Sequence, residues 1–196
     1  MQLRGFQFYY PTVLILAVTY ILYYSFVIGS GGAEDYESFT RYTARLAFIF
    51  FLPVFLIGPL SQIVQSDILS SLRPKRRFIG LTFGAAHFVH LIAILLLHQA
   101  KGTWFTLDDT AALIIYSLLV VQVATSNNFS VRKFGKGWKV LHWIAMYALF
   151  TGFFITYMGR LQEMGGAVYL ILFALTSAAW LLRIYVFIQQ RIGKEA

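Results

Sequence analysis

A basic, glycine-broken stretch, Lys133-Phe134-Gly135-Lys136-Gly137-Trp138-Lys139, runs into an apolar segment in which the first buried polar group is His142. His87, His90 and His98 lie in an earlier apolar segment. An imidazole surrounded by hydrocarbon is costly, so it marks a functional site with a partner to be named. For a neutral imidazole in a helical bundle that partner is a metal, most often a haem iron. The competing reading is a histidine that hydrogen-bonds a neighbouring helix or lines a small wet cavity. His98, beside Lys101, suits that reading best, and His142 suits it least. The chain has no cysteine, which excludes disulfides, thiolate metal sites and iron–sulfur clusters.

These histidines must be held by elements that live in a bilayer. The apolar share is 59% and only 12% of residues are charged, against about 45–50% and about 25% in soluble domains. Mean hydropathy is +0.69. Apolar runs of spanning length, roughly 20 residues each, fall near 8–29, 43–65, 78–98, 111–126, 137–158 and 166–189. The expected fold is therefore an all-α integral membrane protein, a six-transmembrane-helix bundle forming a single domain over 1–196. The Tyr9-Tyr10-Pro11 start of the first run, with no small-residue cleavage site, reads as a retained span rather than a signal peptide.

Twelve of the sixteen basic residues fall on one side of such a bundle, including Arg73, Lys75, Arg76, Arg77, Arg132, Lys133, Lys136 and Lys139, with Arg183 counted among them. The positive-inside rule makes that side cytoplasmic, with both termini there. The net charge of +8 then needs no nucleic acid to explain it. Anionic lipid is the expected partner of the basic face, and an acidic cytoplasmic protein is the alternative. At 1.5 Å per residue, His87 lies roughly 15 Å and His90 roughly 20 Å from the inner edge, whereas His142 lies only about 5–9 Å from it. His87 and His90, three apart, occupy neighbouring positions on one helical face, with Gly84 and Ala86 leaving room close by.

The segment from Ser126-Asn127 through Gly135-Lys136-Gly137-Trp138-Lys139-Val140-Leu141-His142 resembles the start of helix five in the ferric reductase-like transmembrane family. Arg76-Arg77-Phe78-Ile79-Gly80-Leu81 followed by His90-Leu91 is similar to its helix three. Arg45-Leu46, fourteen residues before Pro59-Leu60, is similar to its helix two. The resemblance implies b-type haem, one or two per chain, held between helices three and five in a bacterial inner (plasma) membrane. It implies His90 and His142 as haem-iron ligands and Arg45 as partner of a haem propionate. A guanidinium suits a carboxylate well; snorkelling to the headgroups is the alternative for Arg45.

Two positions depart from the family pattern of paired histidines on each of those helices. Ile155, thirteen residues after His142, cannot ligate iron, and neither can Arg76, fourteen before His90. His87 could serve as a replacement, Met158 could supply a thioether, or a site could be five-coordinate. The aromatics Trp138, Trp143 and Tyr147 are expected to surround His142. Trp104 and Tyr36 suit an interfacial belt.

Other chemistries are poorly served. Gly29-Ser30-Gly31-Gly32 opens no strand–helix unit, so it is no dinucleotide fingerprint. Asp108-Asp109 could bind a divalent cation weakly or simply sit at a helix start. The leading reading is an electron-transfer subunit of an oxidoreductase, relaying electrons from a separate reductase or quinol to an acceptor across the membrane. A last span ending close to Ala196 fits a chain that works with a redox partner subunit. A haem-free six-helix scaffold or small transporter is the alternative reading.

Overall fold

The computed structural model describes residues 6–103 and 110–195, with side chains over 9–103 and 110–192. Trp104, Asp108 and Asp109 lie outside the described residues. Every regular element among those described is helical: α1 Phe6–Phe26, α2 Ala33–Ile63, α3 Asp67–Leu72, α4 Arg76–Lys101, α5 Thr110–Ala124, α6 Asn128–Phe134, α7 Lys136–Met164 and α8 Ala167–Glu195. A single 3₁₀ turn, Arg73–Lys75, joins α3 to α4.

Five of these helical stretches are long and apolar enough to cross a membrane, or six if α5 and α6 count as one span bent by 101°. The expected fourth span, 111–126, corresponds to α5, which ends at Ala124 where the chain bends. Its helix has 15 described residues, roughly 22 Å against a hydrocarbon core of roughly 30 Å. The bend follows from local chemistry. Asn127 takes an extended backbone, and its side chain accepts a 2.8 Å bond from the Ser130 amide, capping α6. Gly135, at φ 50°, then turns the chain into α7.

The helices group into two compact units. The first comprises Met1–Val54 and Pro74–Leu113. Its buried residues include Phe39, Phe48, Phe51 and Ala47 of α2 with Ile79, Phe83, Ala86 and Ala93 of α4. Between α1 and α2, Gly31 and Gly32 take positive φ, and the Gly31 amide is held by both oxygens of the buried Asp35 at 3.2 and 3.1 Å. At the end of α4, Lys101 pairs with Glu37 of α2 at 2.6 Å.

The second unit comprises Phe55–Arg73 and Ile114–Ala196. Phe55 from the end of α2 stacks on Phe150 of α7 with ring centroids 4.0 Å apart, and both are fully buried. Trp180 of α8 meets Phe150 edge-on at 5.4 Å. Gly152 brings α7 close to α5, where an added Cβ would stand 3.0 Å from the Ile115 side chain.

Prolines inside α2 decide where polar groups must go. Pro59 lacks the N–H that would bond the carbonyl of Phe55, four residues earlier. In lipid such a carbonyl needs another donor. Arg183 of α8 provides it, with Nη2 at 2.6 Å from the Phe55 oxygen.

Candidate functional site

The first unit assembles a histidine site from α2 and α4. Thr40 and Thr43, three apart, share a face of α2 that looks onto α4. The Thr40 hydroxyl lies 3.1 Å from the Ala93 carbonyl, and Thr43 Oγ1 lies 3.2 Å from His90 Nδ1. Thr43 is fully buried and also bonds its own helix, donating to Phe39 O at 2.8 Å. A hydroxyl has one proton to give. Given to Phe39, it leaves the Thr43 oxygen to accept from His90 Nδ1–H. That bond makes Nε2 the basic nitrogen, the atom that would face a metal.

His87 is buried beside His90, with ring centroids 5.5 Å apart, and Phe83 covers it from the previous turn at 5.4 Å. The two histidines are therefore brought together, as their spacing requires. Gly84 and Ala86 are both buried here.

Arg45 sits two residues after Thr43, which is about 200° around α2. Its guanidinium lies 5.4 Å from the Tyr42 ring, and Tyr42 in turn meets Tyr24 of α1. Helical spacing thus sets it on a different face from Thr43 and His90. Arg76, at the other family ligand position, donates from Nε to the Val54 carbonyl at 2.8 Å. His98, in the last turn of α4, pairs through Nδ1 with Thr103 at 2.8 Å, a residue just past its own helix rather than on a neighbouring one.

The second unit holds His142 in a different way. Trp138, four residues earlier, stacks on the imidazole at 4.0 Å, and its indole N–H donates to Thr125 O at 2.8 Å. Thr125 Oγ1 lies 3.0 Å from His142 Nε2 and 2.7 Å from Val121 O. Here the threonine engages Nε2, where in the first unit it engages Nδ1. Trp143 and Tyr147 run together with ring centroids 4.6 Å apart, and Tyr147 meets Phe55 and Trp180. Ile155 is 57% exposed and Met158 37%; both stand on faces this chain leaves open.

The donor set fits a haem best at His90, where a half-buried imidazole is fixed by a hydroxyl on one nitrogen and small residues lie nearby. At His142, ligation through Nε2 requires Thr125 to give way. Among the described residues no three His, Cys, Asp or Glu side chains gather as they would around a bare metal ion. A haem iron draws only one or two protein ligands.

Sequence reasoning missed Thr43, Thr125 and Arg183. The two threonines carry no motif, and Arg183 reads as an edge charge until the proline it serves is located.

No protein-family model matches this chain, and no solved structure does. It is 26% identical over 134 residues to the protein-methionine-sulfoxide reductase heme-binding subunit MsrQ of Brucella ovis, and equally to those of Brucella canis and Brucella suis. The match covers 65% of this chain and 59% of each relative, so the chain spans less than two thirds of their length. The chain is a distant relative of these heme-binding subunits.

Proposed function

We propose that this chain is a membrane electron-transfer subunit that carries haem b on His90 and His142, in a six-span arrangement with both termini cytoplasmic. The observation that carries the reading is the Thr43–His90 bond, which holds one nitrogen of an imidazole and leaves the other free to face a ligand inside an apolar helix pair. The kinship with heme-binding subunits supports it. Haem bound there would supply a one-electron carrier. The chain's own residues would do the rest. Thr43 orients His90, Trp138 stacks on His142 while Thr125 yields its Nε2, and the rings of Phe51, Phe83 and Phe150 exclude water, which strengthens the influence of nearby charge on a bound redox group. Arg45, twelve residues after the start of α2 and beside Tyr42, is the proposed propionate partner in the first unit, which requires the edge of the porphyrin to reach round α2 from the face of Thr43. The membrane is the bacterial inner membrane, the donor is a separate reductase or a quinol, and the acceptor lies across the membrane.

The relay is testable in liposomes that hold ferricyanide inside and receive dithionite outside. Liposomes carrying the haem-loaded chain are expected to reduce the trapped ferricyanide at least tenfold faster than empty ones. Equal rates would contradict transmembrane relay.

A further inference from the structure

The short helix α6 joins two apolar helices and continues neither. It is bent by 101° from α5, so it runs almost across that helix and adds nothing to the thickness α5 can cross. Its seven residues make it only about 10 Å long. Local bonds fix the turn at both ends. Asn127 caps α6 through the Ser130 amide, and Gly135 at φ 50° releases the chain from it. The Trp138 indole N–H then donates to Thr125 O at 2.8 Å, tying the first turn of α7 to the residue that follows α5.

The side chains of this turn differ from those of the helices it joins. Ser130 is the one buried residue of α6, while Phe129 is 63% and Phe134 51% exposed. Lys133, four residues after Phe129 and so on its face, places Nζ 5.4 Å from that ring and 6.0 Å from the ring of Phe134. Arg132, Lys136 and Lys139 are exposed as well. No carboxylate stands between Asp109 and Glu163 in the sequence, and neither ion pair found among the described residues involves these four cations.

Exposed phenyl rings interleaved with cations fit neither pure water nor pure hydrocarbon. Water would leave the rings solvated, and hydrocarbon would strip the cations with no anion in reach. The boundary between the two satisfies both groups, because rings enter the base of the headgroup layer while cations reach its phosphates. Only three residues separate α6 from the end of α5, so α6 lies at the level where that helix stops. The charge then selects the lipid. A zwitterionic headgroup cancels its own phosphate, whereas an anionic one leaves a net charge for the four cations.

We infer that α6 and the first turn of α7 form an in-plane membrane anchor that gathers anionic phospholipid around Arg132, Lys133, Lys136 and Lys139. Phe129 and Phe134 supply its apolar contact with the bilayer. Such an anchor operates with or without haem.

The chain has no cysteine, so Val131→Cys gives a single site for a fluorescent label on α6. The labelled full-length chain is reconstituted in vesicles of mixed phosphatidylcholine and phosphatidylglycerol. Each lipid in turn carries a nitroxide quencher on its acyl chain, either close to the headgroup or near the chain end. Quenchers close to the headgroup are expected to act more strongly than deep ones. Phosphatidylglycerol is expected to quench as if enriched about threefold or more over phosphatidylcholine at equal content. Arg132→Gln/Lys133→Gln should bring that ratio close to one, while Arg191→Gln/Lys194→Gln on α8 should keep it. A ratio that survives the first pair overturns the inference, and so does a ratio lost equally in both pairs, which would report overall charge. A label that neither lipid quenches also overturns it and leaves the exposed rings to a partner protein.

Discussion

Replacing His90 by alanine is expected to strip haem from the first unit, lowering its occupancy more than tenfold at equal total haem, because Thr43 of the neighbouring helix positions its ring. His87, though adjacent, lies buried beneath Phe83. The threonines sharpen this expectation, since they predict opposite signs. Thr43→Val keeps the shape and removes the acceptor of His90 Nδ1–H, which should weaken haem binding about 10–100-fold, as loss of an orienting partner does. Thr125→Val removes a group that competes for His142 Nε2, so haem binding should stay equal or tighten. Haem titration of the purified variants reads both. Equal weakening by the two substitutions would show that the threonines only support packing.

The second large effect is on stability. Phe150→Ala empties a fully enclosed position of the second unit, between Phe55 and Trp180. In a bilayer the transfer part of the usual penalty nearly vanishes, because lipid is as apolar as the core. The void remains, since lipid cannot enter it. At about 24 cal/mol per Å3, the roughly 100 Å3 removed costs roughly 2 kcal/mol. Phe187, which is 57% exposed, should tolerate alanine almost freely. Thermal unfolding in detergent checks the contrast. Equal losses at the two positions would mean that the ring stack contributes no enclosed packing.

What the sequence made legible follows the reach of local rules. Apolar runs placed the helices, and a spacing of four put Trp138 on the face of His142, where the rings indeed stack. Ser126-Asn127 was read only as the start of the segment that resembles helix five, and the Asn127 cap that breaks the chain before α6 went unread. The supports of the site were illegible because they come from far along the chain. Thr43 and His90 are 47 residues apart, and Arg183 and Phe55 are 128 apart. A threonine on an apolar helix looks the same whether it bonds its own backbone or a neighbour's imidazole. Arg183, six residues from the expected end of its span, looked like a cytoplasmic charge. Only the missing N–H of Pro59, brought beside it by tertiary packing, explains where the guanidinium points. The aromatic cage expected around His142 divides for a similar reason: Tyr147 is drawn to Phe55 and Trp180.

Whether this chain carries haem decides the rest, and an absorption spectrum answers it. The detergent-purified full chain, expressed with added haem precursor, is examined before and after dithionite, with a pyridine haemochrome assay on the same sample. Haem on His90 and His142 predicts a red protein with sharp reduced Soret and α bands and one or two haem b per chain, lost in His90→Ala/His142→Ala. A colourless protein that stays colourless after incubation with haemin would contradict it and return the chain to the class of haem-free membrane scaffolds.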